Sequence, residues 1–168
     1  MAETAEQYVQ RIIQTLGSTD PLQVLAETPQ RLTAILATFS QESIRKQPAP
    51  GKWSPFEIAI HLAEVEMVVG VRVRLVVGSN GIAIQGFDQD AWATRYDKAD
   101  LDLSLSAFRA LRAANLAMYR AFTPEQWEHY GMHSERGKET AYRIVQLCAG
   151  HDLNHLAQLE ALRSSATA

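Results

Sequence analysis

The sequence predicts an all-α fold, an antiparallel four-helix bundle with an additional N-terminal helix. Four of the six prolines follow a side chain favoured at helix N-caps: Asp20-Pro21, Thr28-Pro29, Ser54-Pro55 and Thr123-Pro124. A capping oxygen followed by proline at the first helical position marks a helix start, because proline lacks only an N–H that would be orphaned there anyway. Apolar residues recur at helical spacing through four long segments. No alternating β-branched run of convincing length appears, nor any internal repeat or low-complexity tract.

Residues 4–16 read as the first helix, stopped by Gly17. The next is expected over 29–45, carrying Leu32, Ile35, Leu36 and Phe39. In WSPFEI, Ser54 and Glu57 make an S-x-x-E capping box, and Trp53 and Ile58 occupy the flanking staple positions. Helical periodicity then runs to Val77, with Gly78 as the expected stop. A further helix is expected over about 103–122, with Leu105, Phe108, Leu111, Leu116 and Met118, and the last over about 139–163. The connection from 79 to about 101 is long for a bundle, and long connections are more often functional or mobile. It holds Phe87, Asp88, Asp90, Trp92 and Tyr96, and FDQDAWATRY is a candidate short helix over one end of the bundle.

With 168 residues, 46% of them hydrophobic, the chain can build one domain with a real core, expected to span 1–168. A net charge of −3 and scattered Lys and Arg give no electrostatic reason to expect a nucleic acid or an anionic membrane as partner. MAETAEQYVQRII lacks the basic-then-apolar profile of a signal peptide. The most apolar stretch, Val65 to Val77, is cut by Arg72 and Arg74. The lone Cys148 excludes an internal disulfide framework. A cytoplasmic protein is the expectation.

Chemistry concentrates in GHDLNHLAQ, where His151 and His155 stand four residues apart on one helix face. On a helical wheel they share a stripe of roughly 80° with Ile144, Cys148, Leu159 and Leu162. His61 lies in a similar stripe with Ile58, Val65, Val68 and Leu75. Three of the five histidines therefore point into one interior. Each unmet nitrogen of a buried imidazole costs roughly 1–3 kcal/mol. A divalent metal relieves all three at once, and three histidines leave a coordination position open, as catalytic sites do. The plainer reading, in which each histidine bonds a carbonyl or carboxylate, is the better one for any single histidine, while for three on converging stripes the metal is preferred over it.

GKWSPFEIAIHLAEVE, a long loop and then GHDLNHLAQLEALR together resemble the DinB-like superfamily, which includes YfiT-type proteins. The resemblance covers roughly residues 28–163 and rests on a Trp-Ser helix start with a histidine seven residues after the serine, plus His-x3-His followed by Leu and Gln. It implies a four-helix bundle, often dimeric, that binds one divalent ion, nickel or zinc, through His61, His151 and His155. It also implies relatives that are thiol-dependent S-transferases, or an isomerase, using bacillithiol or mycothiol. The helix within residues 1–27 precedes the matched region.

Other residues carry weaker expectations. Cys148 extends the motif to C-x2-H-x3-H but reads better as a small buried hydrophobe. Glu64, one turn after His61, could act as a general base, although a solvated face or an ion pair is the preferred reading. Asp152 and Asn154 lie off the histidine stripe, facing a neighbouring helix or solvent. His129 and His133 fall in HYGMHSERG, read as a loop from which His133 could reach the pocket rim. Glu-x-x-His pairs for a di-iron site, G-x-S-x-G, P-loop and G-x-G-x-x-G patterns are all lacking. The aromatics are dispersed, without the basic residues of a single-strand nucleic-acid platform.

The expected activity is that of a metal-dependent enzyme with a metal-activated small thiol or water as nucleophile, acting on a small molecule. S-transfer is the first expectation, hydrolysis the nearer alternative, and a non-catalytic metal-binding or stress-response protein the competitor. The connection from Gly78 to Leu101, with Trp92 and Tyr96, should then border a pocket over the ion. A homodimer is also expected. The third helix is apolar nearly all round from Val65 to Val71, and Leu147, Leu153 and Leu156 fall outside the histidine stripe.

Overall fold

A computed structural model describes residues 3–166. Seven α-helices are described: α1 (Ala5–Leu16), α2 (Pro21–Leu36), α3 (Pro55–Gly78), α4 (Gln89–Ala93), α5 (Leu101–Arg120), α6 (Pro124–Glu128) and α7 (Ala141–Ala166). The bundle consists of α2, α3, α5 and α7, in which α3 and α2 each pack against both α5 and α7, and α1 leans on α7. No helix among the described residues is long and apolar enough to cross a membrane.

Local chemistry accounts for the starts. Thr4 and Gln7 form a capping box on α1, Asp20 caps α2 ahead of Pro21, and Ser54 with Glu57 closes the expected box on α3. The helix expected over 29–45 is different in both bounds. It begins at Pro21, runs through Pro29 and ends at Leu36, with a 3-10 turn over Ser43–Arg45. Pro29 removes the N–H that would reach the Leu25 carbonyl, and Arg112 Nη1 on α5 donates to that carbonyl at 2.8 Å instead. A partner from another helix thus satisfies what the proline leaves open.

α3 ends at Gly78, the expected stop, with Ser79 as its C-cap. The glycine held at positive φ is Gly81, at 85°, which opens a strand. Three short strands, which the sequence reading did not anticipate, make a sheet in the order β1 (Ile82–Ile84), β2 (Tyr130–His133), β3 (Gly137–Thr140). β1 runs parallel to β2 with Ile84 opposite His133, and β2 pairs antiparallel with β3. HYGMHSERG is therefore mostly strand and hairpin. FDQDAWATRY does contain a short helix, α4, capped by Asp88, followed by a 3-10 turn at Tyr96–Lys98.

The core has two large apolar clusters, besides a small one of Phe56, Ile60 and Tyr96. One gathers Val69, Val73, Val76, Leu116, Ile144 and Val145 at the sheet end, and the other gathers Leu32, Ile58, Leu62, Phe108, Leu156 and Leu159. Between them, on three helices, lies a buried polar layer. Arg112 is 1% exposed and sits 2.8 Å from both Glu66 and Asp152, while Asn115 donates to Glu66. Burial works against the Arg112 charge, but Asp152 and Glu66 more than restore it. Asp152 therefore faces a neighbouring helix rather than solvent. Two wheel assignments also change: Leu75 is 50% exposed, and Leu147 and Leu156 are buried within the chain.

Candidate metal centre

The phase of α3 is set at its first turn. Ser54 Oγ accepts from the Glu57 amide, Glu57 Oε2 accepts from the Ser54 amide at 2.7 Å, and Pro55 occupies the first helical position. Two turns on, His61 is 1% exposed and faces α7. The same capping geometry brings Trp53 over it, with ring centroids 4.5 Å apart, and stacks Trp53 on His155 at 6.2 Å. On α7, His151 and His155 follow one another by a turn.

The three Nε2 atoms converge. His151 Nε2 lies 3.0 Å from His61 Nε2 and 3.1 Å from His155 Nε2. All three rings are buried, and among the described residues this is the group of His, Cys, Asp and Glu ligand atoms close enough to share an ion. Burial, reinforced by the nearness of His155, which disfavours a second positive charge, holds the His61 pKa down to about 3. Burial also places His151 well below the ordinary histidine range and lowers His155, which its bond to Gln158 partly opposes. The rings are therefore neutral, the form that binds metal.

His155 Nδ1 donates to Gln158 Oε1 at 3.0 Å, which puts the ring's single proton on Nδ1 and leaves the Nε2 lone pair facing the other two histidines. Neutral imidazoles so arranged cannot satisfy all of their nitrogens with one another, and His61 Nδ1 and His151 Nδ1 have no partner. Tetrahedral ligand nitrogens at about 2.0–2.1 Å from zinc stand about 3.3 Å apart, close to the spacings observed. The donor set fits a borderline divalent ion such as zinc or nickel. His61, His151 and His155, the residues singled out in the sequence, are the ones the fold brings together.

A cavity of about 850 Å³ reaches the three histidines, within the usual range for small-molecule sites. Its walls include Trp53, Val65 and Val69, Tyr8 and Arg11 of α1, and Gln85–Gln89 of the long connection. That connection borders the cavity as expected, but Trp92 and Tyr96 do not. Trp92 lines a separate groove on the outer face of α3, and Tyr96 packs near Trp53 and donates to Glu64 at 2.7 Å. Glu64 is also absent from the cavity wall, and the Tyr96 hydroxyl stands where an ion pair or a solvated face was expected. Cys148 lines it without joining the ligand group, and burial raises its thiol pKa. His129 Nδ1 is engaged with the Val77 carbonyl at 2.9 Å. His133 is 4% exposed on β2 and lines the cavity. Sequence reasoning missed three contributors: Trp53 as the cover, Gln158 as the orienting group, and α1 as a wall.

The sequence and the fold are similar to those of known proteins. A protein of Oceanobacillus iheyensis is 24% identical over 139 residues, covering 82% of this chain and 81% of its own. YfiT of Bacillus subtilis is 26% identical over 145 residues, covering 84% of this chain and 81% of its own. Both are named provisionally as metal-dependent hydrolases. The solved structure of YfiT, described as a probable metal-dependent hydrolase with an unusual four-helix bundle topology, superposes with a TM-score of 0.82 at 22% identity. It covers 99% of this chain and 91% of its own, so α1 belongs to the shared fold although it precedes the family match. The model of the DinB superfamily matches residues 25–159, and the chain belongs to that superfamily.

Proposed function

We propose that this protein is a metal-dependent enzyme acting on a small molecule, with one divalent ion per chain, zinc or nickel, held by His61, His151 and His155. The observation that carries the reading is the convergence of three neutral Nε2 atoms at the floor of a cavity large enough for a substrate. A structural metal would be enclosed by four protein ligands, whereas here three donors meet beside an accessible space.

A divalent ion bound there would act as a Lewis acid that makes a water or a thiol nucleophilic at neutral pH. The chain supplies the rest. Gln158 fixes the tautomer of His155, and Trp53 excludes water from one side of the imidazoles. The apolar wall of Val65 and Val69 holds the substrate body. Two nucleophiles suit this frame: a low-molecular-weight thiol, making the protein an S-transferase, or water, making it a hydrolase. The names of the curated relatives favour water. A cytoplasmic homodimer is part of the same proposal.

Metal content of untagged protein, purified without chelator, tests the site. One equivalent is expected in wild type, a sharp loss in each of His61→Ala, His151→Ala and His155→Ala, and none in His129→Ala. Full retention by His151→Ala would sink the assignment. Cobalt-substituted protein separates the chemistries. A sulfur charge-transfer band on adding a thiol supports S-transfer, and spectral response to azide and pH alone supports hydrolysis. A closed tetrahedral spectrum indifferent to all three overturns the enzyme reading.

A further inference from the structure

The cavity has a second chemical end. Arg72 lies eleven residues after His61 on nearly the same face of α3, about 16 Å further along the axis, and long helical side chains generally lean back toward the N-terminus, which shortens that span. It lines the cavity, is partly buried, and spends one donor on the Gln85 carbonyl at 2.7 Å. Among the described residues no carboxylate lies within ion-pair distance of it, unlike Arg136, which is held by Glu139 at 2.6 Å. A guanidinium carries five donors and keeps its charge even when partly buried. Most of that capacity is unmatched by the protein.

His133 flanks the same segment. A Cβ at Gly86, next to Gln85, would stand 3.8 Å from His133 Cε1. His133 Nδ1 accepts the Glu135 amide at 3.1 Å, so the proton of the neutral ring sits on Nε2, which is buried without a partner. An unmatched buried donor calls for an acceptor. The carboxylates on the cavity wall do not fill the role. Glu3 is paired with Arg11, Asp88 caps α4, and Glu135 is exposed to water. Between the two ends the cavity wall has an apolar strip, from Val65 and Val69 on α3 and Ile144 and Leu147 on α7.

We propose that the cavity takes an elongated organic anion, with its acidic group on Arg72 and His133, its apolar body along α3 and α7, and its reactive end at the three histidines. The reactive end rests on the metal reading, but the acid-binding end stands without it. The class is a medium-chain aliphatic or aryl-aliphatic acid. A carboxylate and a phosphate monoester offer the same acceptor chemistry, and they are separable by experiment.

Calorimetric titrations with octanoate, octyl phosphate and octanol test this, on zinc-loaded and on metal-stripped protein, with metal content measured in parallel. Octanoate or octyl phosphate should bind both forms of wild type, the tighter of the two naming the acid. Octanol should bind at least tenfold more weakly. Arg72→Met should lose at least tenfold in affinity for the anion while keeping its metal, and Arg72→Lys should retain part of it. In wild type, the anion should also shift the His133 ring resonances, a readout that needs no variant. Equal binding by Arg72→Met, equal binding of octanol, no shift at His133, or anion binding only to loaded protein would each overturn the proposal. Wild type that binds octanoate but no metal would refute the metal centre and leave the acid site standing.

Discussion

Gln158 decides which nitrogen of His155 is available, because its Oε1 can only accept the Nδ1 proton. Removing such an orienting group costs metal affinity about 10–100-fold in known sites. Gln158→Ala should therefore weaken zinc binding by that factor in competition with a chromophoric chelator, and Gln158→Glu should preserve it. His133 makes a second residue-scale test. Burial and the charge of Arg136 hold its pKa below the ordinary value. Its folded pKa lies below its unfolded one, so its stabilisation is complete above roughly pH 6.5 and is lost as pH falls. An NMR titration of the His133 ring should show a midpoint below that of an unfolded histidine, and a midpoint above it would contradict the structure. The three converging histidines were legible because a spacing of four fixes a helix face. Gln158 and Trp53 were not, because their roles depend on which neighbour they meet. Trp53 reads in sequence as a helix staple, and the same entry geometry places it over His61.

At the scale of elements, the site depends on how closely α1 approaches α7. Gly150 sits one residue before His151, and a Cβ there would collide with the Ile12 carbonyl oxygen. Gly150→Ala should push α1 away at a cost of about 1–3 kcal/mol. Amide exchange should accelerate across Ala5–Leu16, whose Tyr8 and Arg11 wall the cavity. Metal should stay bound, since the ligands lie on α3 and α7. The polar layer ties the other helices together. Arg112 links Glu66 of α3, Asp152 of α7 and the carbonyl of α2 that Pro29 leaves free. Arg112→Met would strand two buried carboxylates, and urea unfolding should report a loss of about 3–5 kcal/mol. The helix starts were legible from their caps. The passage of α2 through Pro29 was not, because Thr28-Pro29 carries the same local signal as a true start. What overrides it is a guanidinium from residue 112.

For the whole molecule, the bundle followed from periodicity and capping, while the sheet escaped notice for a physical reason. Its strands are three or four residues long, and β1 pairs with a partner nearly fifty residues away, so no local alternation announces them. Leu147 and Leu156 are covered by the chain itself, but Met67, Val71 and Leu75 remain 45%, 52% and 50% exposed at successive turns of α3. Together with Val68, Phe87 and Trp92 they line an apolar groove. An exposed apolar groove of this kind can be covered across a two-fold axis, where the same patch of a second copy meets it. Sedimentation of wild type should therefore give twice the 18.7 kDa chain mass at micromolar concentration. Val71→Lys, which places a charge in that groove, should give the single chain mass with its metal content unchanged. Wild type that sediments as a single chain, or Val71→Lys that stays paired, would assign the groove another role.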